Sequence, residues 1–329
     1  MRRIHYALAM TVLLLAGCDV HEWPENPETV AIHLKLDYNT DITLWSHLYD
    51  NGNMTELGIG PDTASVRSNG TMRYVIKAYN MGICTYEYIM YKNMADGYNN
   101  ELTINLPAGN YNIMVWSDMQ QNVAQPYFYN CSNFAEIALT GKYQGNNNWR
   151  DAFSGKGNIN LVAECQNRLP DTLSISMERQ LAKYEFITTD IMDFVKEETA
   201  TADASMDLDN YTIEFRYVGF LPSAYSLFTG KNTDATTGVV FSSKIKDLSD
   251  STAVLGFDYV FANSNDQAVT LQLLIYDNNG RYLSVSEPIK VPLRRNCFTT
   301  VTGKFLTSMA KGGVIVNPYF DGNYNITFH

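Results

Sequence analysis

The feature that most constrains the fold is an alternation of apolar and polar residues, which recurs in many short segments of the chain. Apolar side chains occupy every second position at 30–38, 102–106, 111–115, 211–217 and 289–293. Successive side chains of a β-strand point to opposite faces of a sheet, so this period of two is typical of strands with one buried face. No segment shows a long repeat of 3.6 residues, the period of an amphipathic helix. The chain is therefore predicted to be all-β.

Turn residues separate these segments. The sequence PAGN at 107–110 stands between two alternating segments and predicts a tight hairpin, as Asn-Gly does at 279–280. A strand pair is also predicted across NMG at 80–82. Residues 50–71 are rich in Gly, Asn, Asp, Ser and Thr, and we expect them to form one long loop. Residues 189–198 are predicted to form a turn or two of helix.

The number of strands and the length of the chain indicate two domains. Many short strands with polar turns, in two halves, are typical of two tandem β-sandwiches. A chain of 329 residues is long enough for two hydrophobic cores. We place the N-terminal sandwich at 29–167 and the C-terminal sandwich at 168–329. The sequence RLPD marks the boundary, and the alternation at 173–177 is expected to begin a new sheet.

Residues 1–17 have the features of a lipoprotein signal peptide. Two arginines precede an apolar run at 7–16, and small residues then lead directly into Cys18. The resemblance to bacterial lipoprotein signals implies cleavage before Cys18 and attachment of acyl chains such as palmitate, so that Cys18 is the membrane anchor. The acidic, proline-containing segment 18–28 is predicted to be an acylated tether. The alternative is an ordinary secretion signal followed by a free cysteine.

Charge and cysteine spacing exclude several classes of partner and cofactor. The net charge of −11, without a basic stripe, argues against a nucleic-acid partner. Cys84, Cys131, Cys165 and Cys297 are too far apart for a CxxC metal or redox motif, so no metal site and no cofactor is predicted. Disulfide formation after export and burial as small apolar residues both remain open for these cysteines.

The chain lacks the sequence motifs of common exported enzymes. HExxH, GxSxG, GxGxxG and GxxxxGK[ST] are all absent, and no histidine has a local acid or nucleophile partner that would suggest a catalytic triad. The aspartates at 203–209 lack the glycine turn and the distal glutamate of an EF-hand loop, so a solvated acidic loop is favoured. We therefore predict no catalytic residues and a function other than catalysis.

Several stretches together resemble a known superfamily. They are the Cys18 signal, LPAGNYNIMVW at 106–116, RDAFSG at 150–155, MERQLAKYEF at 177–186 and VPLRRNCFTTVTGKFLT at 291–307. Their order and spacing are similar to those of the Bacteroidales fimbrial lipoproteins, the fimbrillin and fimbrial-anchor superfamily. The resemblance implies two transthyretin-like β-sandwich domains, attachment to the outer membrane, and other fimbrial subunits as partners.

The resemblance also implies a mode of assembly. Stalk subunits of that superfamily polymerise by strand exchange after an arginine-directed protease removes their first strand, whereas anchor subunits keep this strand and terminate the fibre at the membrane. Here Arg67 and Arg73 follow the predicted long loop, and cleavage there would free the strand at 30–38. Sequence alone leaves anchor, stalk and minor adhesive tip subunit open.

Two further sets of surface residues are candidates. Trp116, Trp149 and Tyr127 are candidates for an aromatic platform that holds a glycan, the basis of an alternative function as a surface glycan-binding lipoprotein; a host protein or glycan would then be the partner. The pattern D-[ST]-x resembles O-glycosylation sites of exported proteins in this bacterial group. It places glycans on the hydroxyl residues Thr63, Thr172 and Ser251.

Overall fold

The computed structural model shows an all-β chain. Helical structure within the described part of the chain is limited to one α-helix, α1 (Ile191–Thr199), and short 3-10 turns. The described residues are 29–62, 70–94, 101–123, 127–162, 171–199, 208–247, 249, 251–263, 265–307 and 310–311. No helix among these residues is long and apolar enough to cross a bilayer.

The part of the chain that the structure describes contains twenty-three strands, numbered here in chain order. The first eleven described strands are β1 (Thr29–Tyr38), β2 (Ile42–Asp50), β3 (Asn53–Asp62), β4 (Thr71–Asn80), β5 (Ile83–Asn93), β6 (Glu101–Pro107), β7 (Gly109–Gln120), β8 (Tyr129–Asn130), β9 (Ile137–Leu139), β10 (Ala152–Leu161) and β11 (Asp171–Arg179). The others are β12 (Leu181–Thr188), β13 (Thr212–Tyr217), β14 (Leu221–Ser226), β15 (Lys231–Thr236), β16 (Val240–Lys244), β17 (Lys246–Asp247), β18 (Ala253–Phe261), β19 (Gln267–Tyr276), β20 (Tyr282–Val285), β21 (Ile289–Leu293), β22 (Cys297–Gly303) and β23 (Ala310–Lys311).

The first sandwich is built from one seven-stranded sheet with the order β5-β4-β7-β10-β11-β1-β6. β10 and β11 pair over only two residues, so the sheet bends there and its two halves face each other. Ile32 of β1, Ile104 of β6, Ile76 of β4 and Ile113 of β7 are almost fully buried and belong to one core. In β1 and β6 the buried residues alternate with exposed polar ones, which explains why these two segments form strands with one buried face.

The second sandwich has two sheets. Their orders are β17-β18-β12-β22-β2-β3 and β16-β13-β19-β20-β23, with β21 also paired to β19. The core between them is rich in aromatic side chains: Phe186 lies against Phe215 and Phe305, and Phe215 stacks on Phe241 with ring centroids 4.7 Å apart. α1 packs on the same core through buried side chains. The helix predicted at 189–198 is thus confirmed.

A third core joins the two sandwiches. Trp116 on the outer face of β7, Tyr129 of β8, Tyr225 of β14 and Phe261 of β18 are buried in one cluster. A small four-stranded sheet, β15-β14-β9-β8, covers this cluster. The two sandwiches are therefore held together by an apolar layer of their own, rather than by a polar linker alone.

Two segments pair with strands far from their neighbours in sequence. β11, which the sequence predicts to begin a new sheet, pairs in parallel with β1 and so lies in the first sandwich. β2 and β3 lie in the second sandwich, because β2 pairs in parallel with β22. The sheets consequently do not divide at 167/168. The prediction of a new sheet after 168–171 is wrong. Alternation shows which face of a strand is buried, but it does not show with which other strand that strand pairs.

Two local predictions are also corrected. β6 and β7 are both present, but they do not form a hairpin: β6 pairs with β1, and β7 pairs with β4 and β10. The turn at 107–110 therefore connects the two facing layers of the sandwich. The predicted loop at 50–71 contains the strand β3, which joins β2 through a tight turn with Asn51 at φ 49° and Gly52 at φ 82°.

The other hairpin predictions are confirmed. β4 and β5 pair across Met81 and Gly82, both of which have positive φ angles, and β19 pairs with β20 across the Asn-Gly turn at 279–280. The first strand, predicted at 30–38, is β1.

Candidate functional site

Buried ion pairs bind the elements at the junction of the two sandwiches. Arg73 of β4 donates from Nε to Oδ1 of Asp118 at 2.9 Å and from Nη2 to the carbonyl oxygen of Tyr129 at 2.8 Å. Trp116 donates its indole N–H to the same carboxylate at 2.9 Å. Arg73 and Asp118 are 3% and 1% exposed. A protease needs an extended and accessible segment, so the prediction of cleavage at Arg73 is wrong.

A second buried ion pair, between Arg150 and Asp258, connects the two halves of the chain. The carboxylate of Asp258 on β18 accepts hydrogen bonds from Arg150, from Tyr143 and from Tyr217, the last at 2.7 Å. The hydroxyl of Tyr217 also contacts that of Tyr184 at 2.8 Å. Although burial opposes it, the charge of Asp258 raises the pKa of the Arg150 guanidinium, which stays charged at any physiological pH.

A third pair lies where the chain passes from β11 to β12. Arg179 donates to Asp151 at 2.8 Å and to the side-chain oxygen of Asn296 at 2.6 Å. Two stretches that carry the family resemblance supply three of the six charged residues in these pairs: Arg150 and Asp151 lie in RDAFSG, and Arg179 lies in MERQLAKYEF. All three pairs are buried, so their charged groups hold the fold together and are not accessible to a substrate.

The edge formed by β5 is the most accessible strand of the first sandwich. Among the described strands only β4 pairs with it. Ile83, Tyr88, Ile89 and Tyr91 are 41–68% exposed, and because Tyr88 and Ile89 are neighbours, both faces of the strand are open to solvent. Only two of its eleven residues are charged. Its register with β4 is regular from Tyr86 onward.

The edge formed by β3 is exposed as well, but it has features that oppose pairing. Leu57 and Ile59 are 61% and 52% exposed. Pro61 lacks the N–H group needed to extend a ladder, and the register with β2 shifts at His47. Proline and bulges are devices by which natural edge strands avoid pairing with other chains. β5 is therefore the better candidate for a contact between subunits.

The three residues proposed as a glycan platform do not come together. Trp116 is fully buried in the core between the sandwiches, and its part in a platform is therefore wrong. Trp149 is half-buried against Gly70 and the first core. Tyr127 is 45% exposed and stacks under the guanidinium of Arg73 at 4.2 Å, beside a hollow of about 480 Å³ that it shares with Phe128. Aromatic residue type alone does not distinguish these three environments.

The remaining candidate positions are the predicted O-glycosylation sites, the predicted lipidation site and the other predicted cleavage site. Thr172 lies exposed on β11, opposite His33, and Ser251 is exposed in a bend, so both hydroxyls are accessible to a modifying enzyme. Cys18, Arg67 and Thr63 lie outside the described residues. Their predicted roles stay predictions.

The cysteines of the described segments are free. Cys131 and Cys297 are buried, and Cys84 is exposed on the β5 edge. Burial raises the pKa of the Cys131 thiol far above its ordinary value, so this thiol is unreactive at neutral pH. No group of three or more metal-ligating side chains occurs among the residues that the structure describes.

Solved structures with a similar arrangement come from several bacteria. The fimbrial anchor protein Mfa2 from Porphyromonas gingivalis is 13% identical, with 78% of this chain and 82% of that chain covered and a TM-score of 0.40. A fimbrial assembly protein from Parabacteroides distasonis is 13% identical, with 86% and 94% covered and a TM-score of 0.38. A protein from Bacteroides thetaiotaomicron to which polysaccharide binding is provisionally assigned is 11% identical, with 78% and 79% covered and a TM-score of 0.43.

Comparison with characterised proteins gives no match. A family model described as a family of unknown function, DUF6562, matches residues 29–329, which include every strand described above. The chain therefore belongs to the DUF6562 family.

Proposed function

We propose that this chain is a lipid-anchored subunit of a surface fibre, in which the β5 edge pairs with an extended strand of a neighbouring fimbrial subunit. The observation that carries the proposal is the open edge itself. β5 is eleven residues long and pairs only with β4 among the described strands, so its other side can accept a partner strand through main-chain hydrogen bonds. Each such bond contributes about 0.5–1.5 kcal/mol, and apolar side chains on both faces add to this.

The membrane attachment in this proposal is supported by the sequence. The signal-like segment before Cys18 and the resemblance to fimbrial lipoproteins both favour an acylated N terminus in the outer membrane. The rigid junction between the sandwiches is consistent with a subunit that transmits load between a membrane and a fibre. The role is structural and adhesive, because the chain lacks the sequence motifs of the exported enzymes considered above.

The edge is tested with two matched substitutions. Ile89→Lys on β5 and Ile59→Lys on β3 each place a charge on a strand edge at a similarly exposed isoleucine, 46% and 52%. Gels of unboiled cells are expected to lose the ladder of fibre assemblies with Ile89→Lys and to keep it with Ile59→Lys. The reverse pattern, or a ladder unchanged in both variants, contradicts pairing at β5.

The anchor is tested separately. Cys18→Ala is expected to release fibres into the medium or to abolish them, as judged by immuno-electron microscopy of whole cells. Fibres that stay attached and unchanged in number refute the anchor role and favour a tip subunit. A chain that forms no ladder in the wild type but binds oligosaccharide favours the glycan-binding lipoprotein.

A further inference from the structure

A cleft of about 600 Å³ opens on the outer face of the first sandwich, beside the junction with the second. We propose that this cleft binds a neutral oligosaccharide. Its volume lies in the range of about 300–1,000 Å³ that is usual for small-molecule sites. The residues that carry the inference are Tyr79, Asn110, Asn112, Asn158, Asn160 and Phe228.

The strand register places these side chains in a compact array. Tyr79 of β4 lies opposite Asn112 of β7, which in turn lies opposite Asn158 of β10. One row further along, Asn110 lies opposite Asn160. Directly opposed residues of paired strands share a face of the sheet. Four amide groups and one phenol therefore stand together on one surface.

The amides have hydrogen-bonding capacity that the protein leaves unused. The side-chain oxygen of Asn112 is buried and has no hydrogen-bond partner among the described atoms. A buried acceptor without a donor is unfavourable, and natural structures usually satisfy such groups. A sugar hydroxyl supplies the missing donor. Amides and hydroxyls are each both donor and acceptor, so an array of four amides matches a ligand that carries hydroxyl groups on neighbouring carbons.

An aromatic wall completes the cleft. The ring of Phe228, which follows β14, lies edge-on to Tyr79 with centroids 5.1 Å apart and is 39% exposed. An exposed ring presents an apolar face to the C–H side of a sugar. Burial, followed by the charges of Cys84 and Glu87, raises the pKa of Tyr79 to about 12, so its phenol remains a hydrogen-bond donor at neutral pH.

The charge and position of the cleft distinguish among ligand classes. None of its six key side chains is charged, although the chain as a whole has a net charge of −11, so a neutral ligand fits better than an anionic or cationic one. At the cleft the central strand β7 is paired on both sides, with β4 and with β10. The inference is independent of the fibre proposal.

The test is calorimetric titration of the full chain in detergent with maltohexaose, cellohexaose, xylohexaose and mannohexaose, and with hexagalacturonate as the charged comparison. Saturable binding of at least one neutral hexasaccharide is expected. Asn158→Leu and Phe228→Ala change exposed cleft residues and should each weaken binding at least tenfold, or by about 1.4 kcal/mol. Asn105→Leu and Phe220→Ala change exposed residues elsewhere and should leave the affinity unchanged.

Three results overturn the proposal: no saturable binding of any neutral hexasaccharide, binding of hexagalacturonate alone, or unchanged affinity in both cleft variants. Loss of binding in Tyr127→Ala with the cleft variants unaffected would assign the site to the other hollow and overturn it as well. The cleft variants should keep the ladder of fibre assemblies. Failure of sugar binding and failure of the fibre proposal are thus separate outcomes.

Discussion

Removal of the Asp258 carboxylate is the most direct test of how the two sandwiches are held together. Asp258 is fully buried and accepts hydrogen bonds from Arg150, Tyr143, Tyr217 and the backbone N–H of Tyr259, the last at 2.8 Å. Three of these donors come from other segments of the chain. The substitution Asp258→Ala therefore removes a carboxylate that accepts hydrogen bonds from three other segments of the chain.

The expected loss in free energy of unfolding follows from the groups that Asp258→Ala leaves without a partner. The guanidinium of Arg150 stays buried without its counter-ion, a loss of about 3–5 kcal/mol for pairs of this kind. The hydroxyl of Tyr143 loses its acceptor, which adds about 1 kcal/mol or more. Tyr217 retains its contact with Tyr184, so no further loss is expected there. The free energy of unfolding should fall by about 4–6 kcal/mol in total.

The assay is urea unfolding followed by tryptophan fluorescence and by circular dichroism. Asp266→Ala is the matched control, because Asp266 pairs with Arg294 at the surface with side chains 62% and 37% exposed. Exposed pairs contribute little, so its midpoint should barely change. The double variant Arg150→Met, Asp258→Leu should regain much of the lost stability, since it leaves no unpaired charge. A decrease below about 1 kcal/mol in Asp258→Ala would refute the reasoning.

Three further results are expected. Burial lowers the pKa of His47 below 6.5, so the unfolded state takes up a proton at a higher pH than the folded state does. The free energy of unfolding should therefore fall as the pH decreases from about 7 towards the lowered pKa. His47→Gln should remove this dependence, as measured by urea midpoints at several pH values. Gly70→Ala should destabilise the fold more than Gly82→Ala in the same assay, because both have positive φ but only at Gly70 would a Cβ collide with Trp149. Peptide mapping after brief maleimide treatment of the native chain should find Cys84 labelled and the buried cysteines unlabelled; equal labelling would contradict the described burial.

The alternation in the sequence predicts strands well and pairing poorly. β1 and β6 lie where the pattern places them, because each has one buried face, and β7 also lies where it is predicted although most of it is buried on both faces. The sequence pattern does not predict β3, which lies in a segment rich in polar residues. A strand that is exposed on both faces has no alternation of apolar and polar residues. The Asn-Gly pair at 51–52 was the available signal for that hairpin. The partner of β11 depends on contacts across the chain that no local pattern encodes.

The candidate site residues show the same limit. Arg73 and Asp118 are 45 residues apart, and Arg150 and Asp258 are 108 apart, so no local pattern predicts that these charges form buried pairs. The asparagine cleft did have a local signal. Asn-Tyr-Asn at 110–112 and Asn-Ile-Asn at 158–160 each place two amides on one face of a strand.

The position of the first three strands changes the consequence of cleavage at Arg67. A cut there separates a segment that contains β1, β2 and β3, which is shared by both sandwiches. In β1 alone, three fully buried side chains, Ile32, Leu34 and Leu36, contribute about 1.5–3 kcal/mol each, or about 5–9 kcal/mol together.

That contribution is comparable with the whole stability of a typical domain, about 5–15 kcal/mol, so a cleaved segment should stay bound. Mass spectrometry of surface-extracted protein should then find both pieces together under native conditions and apart only after denaturation. An intact chain refutes cleavage, and release of the segment without denaturant refutes the estimate of its binding. Exchange of this segment for a partner's strand would require a donor that fills both sandwiches, which a single extended strand does not do.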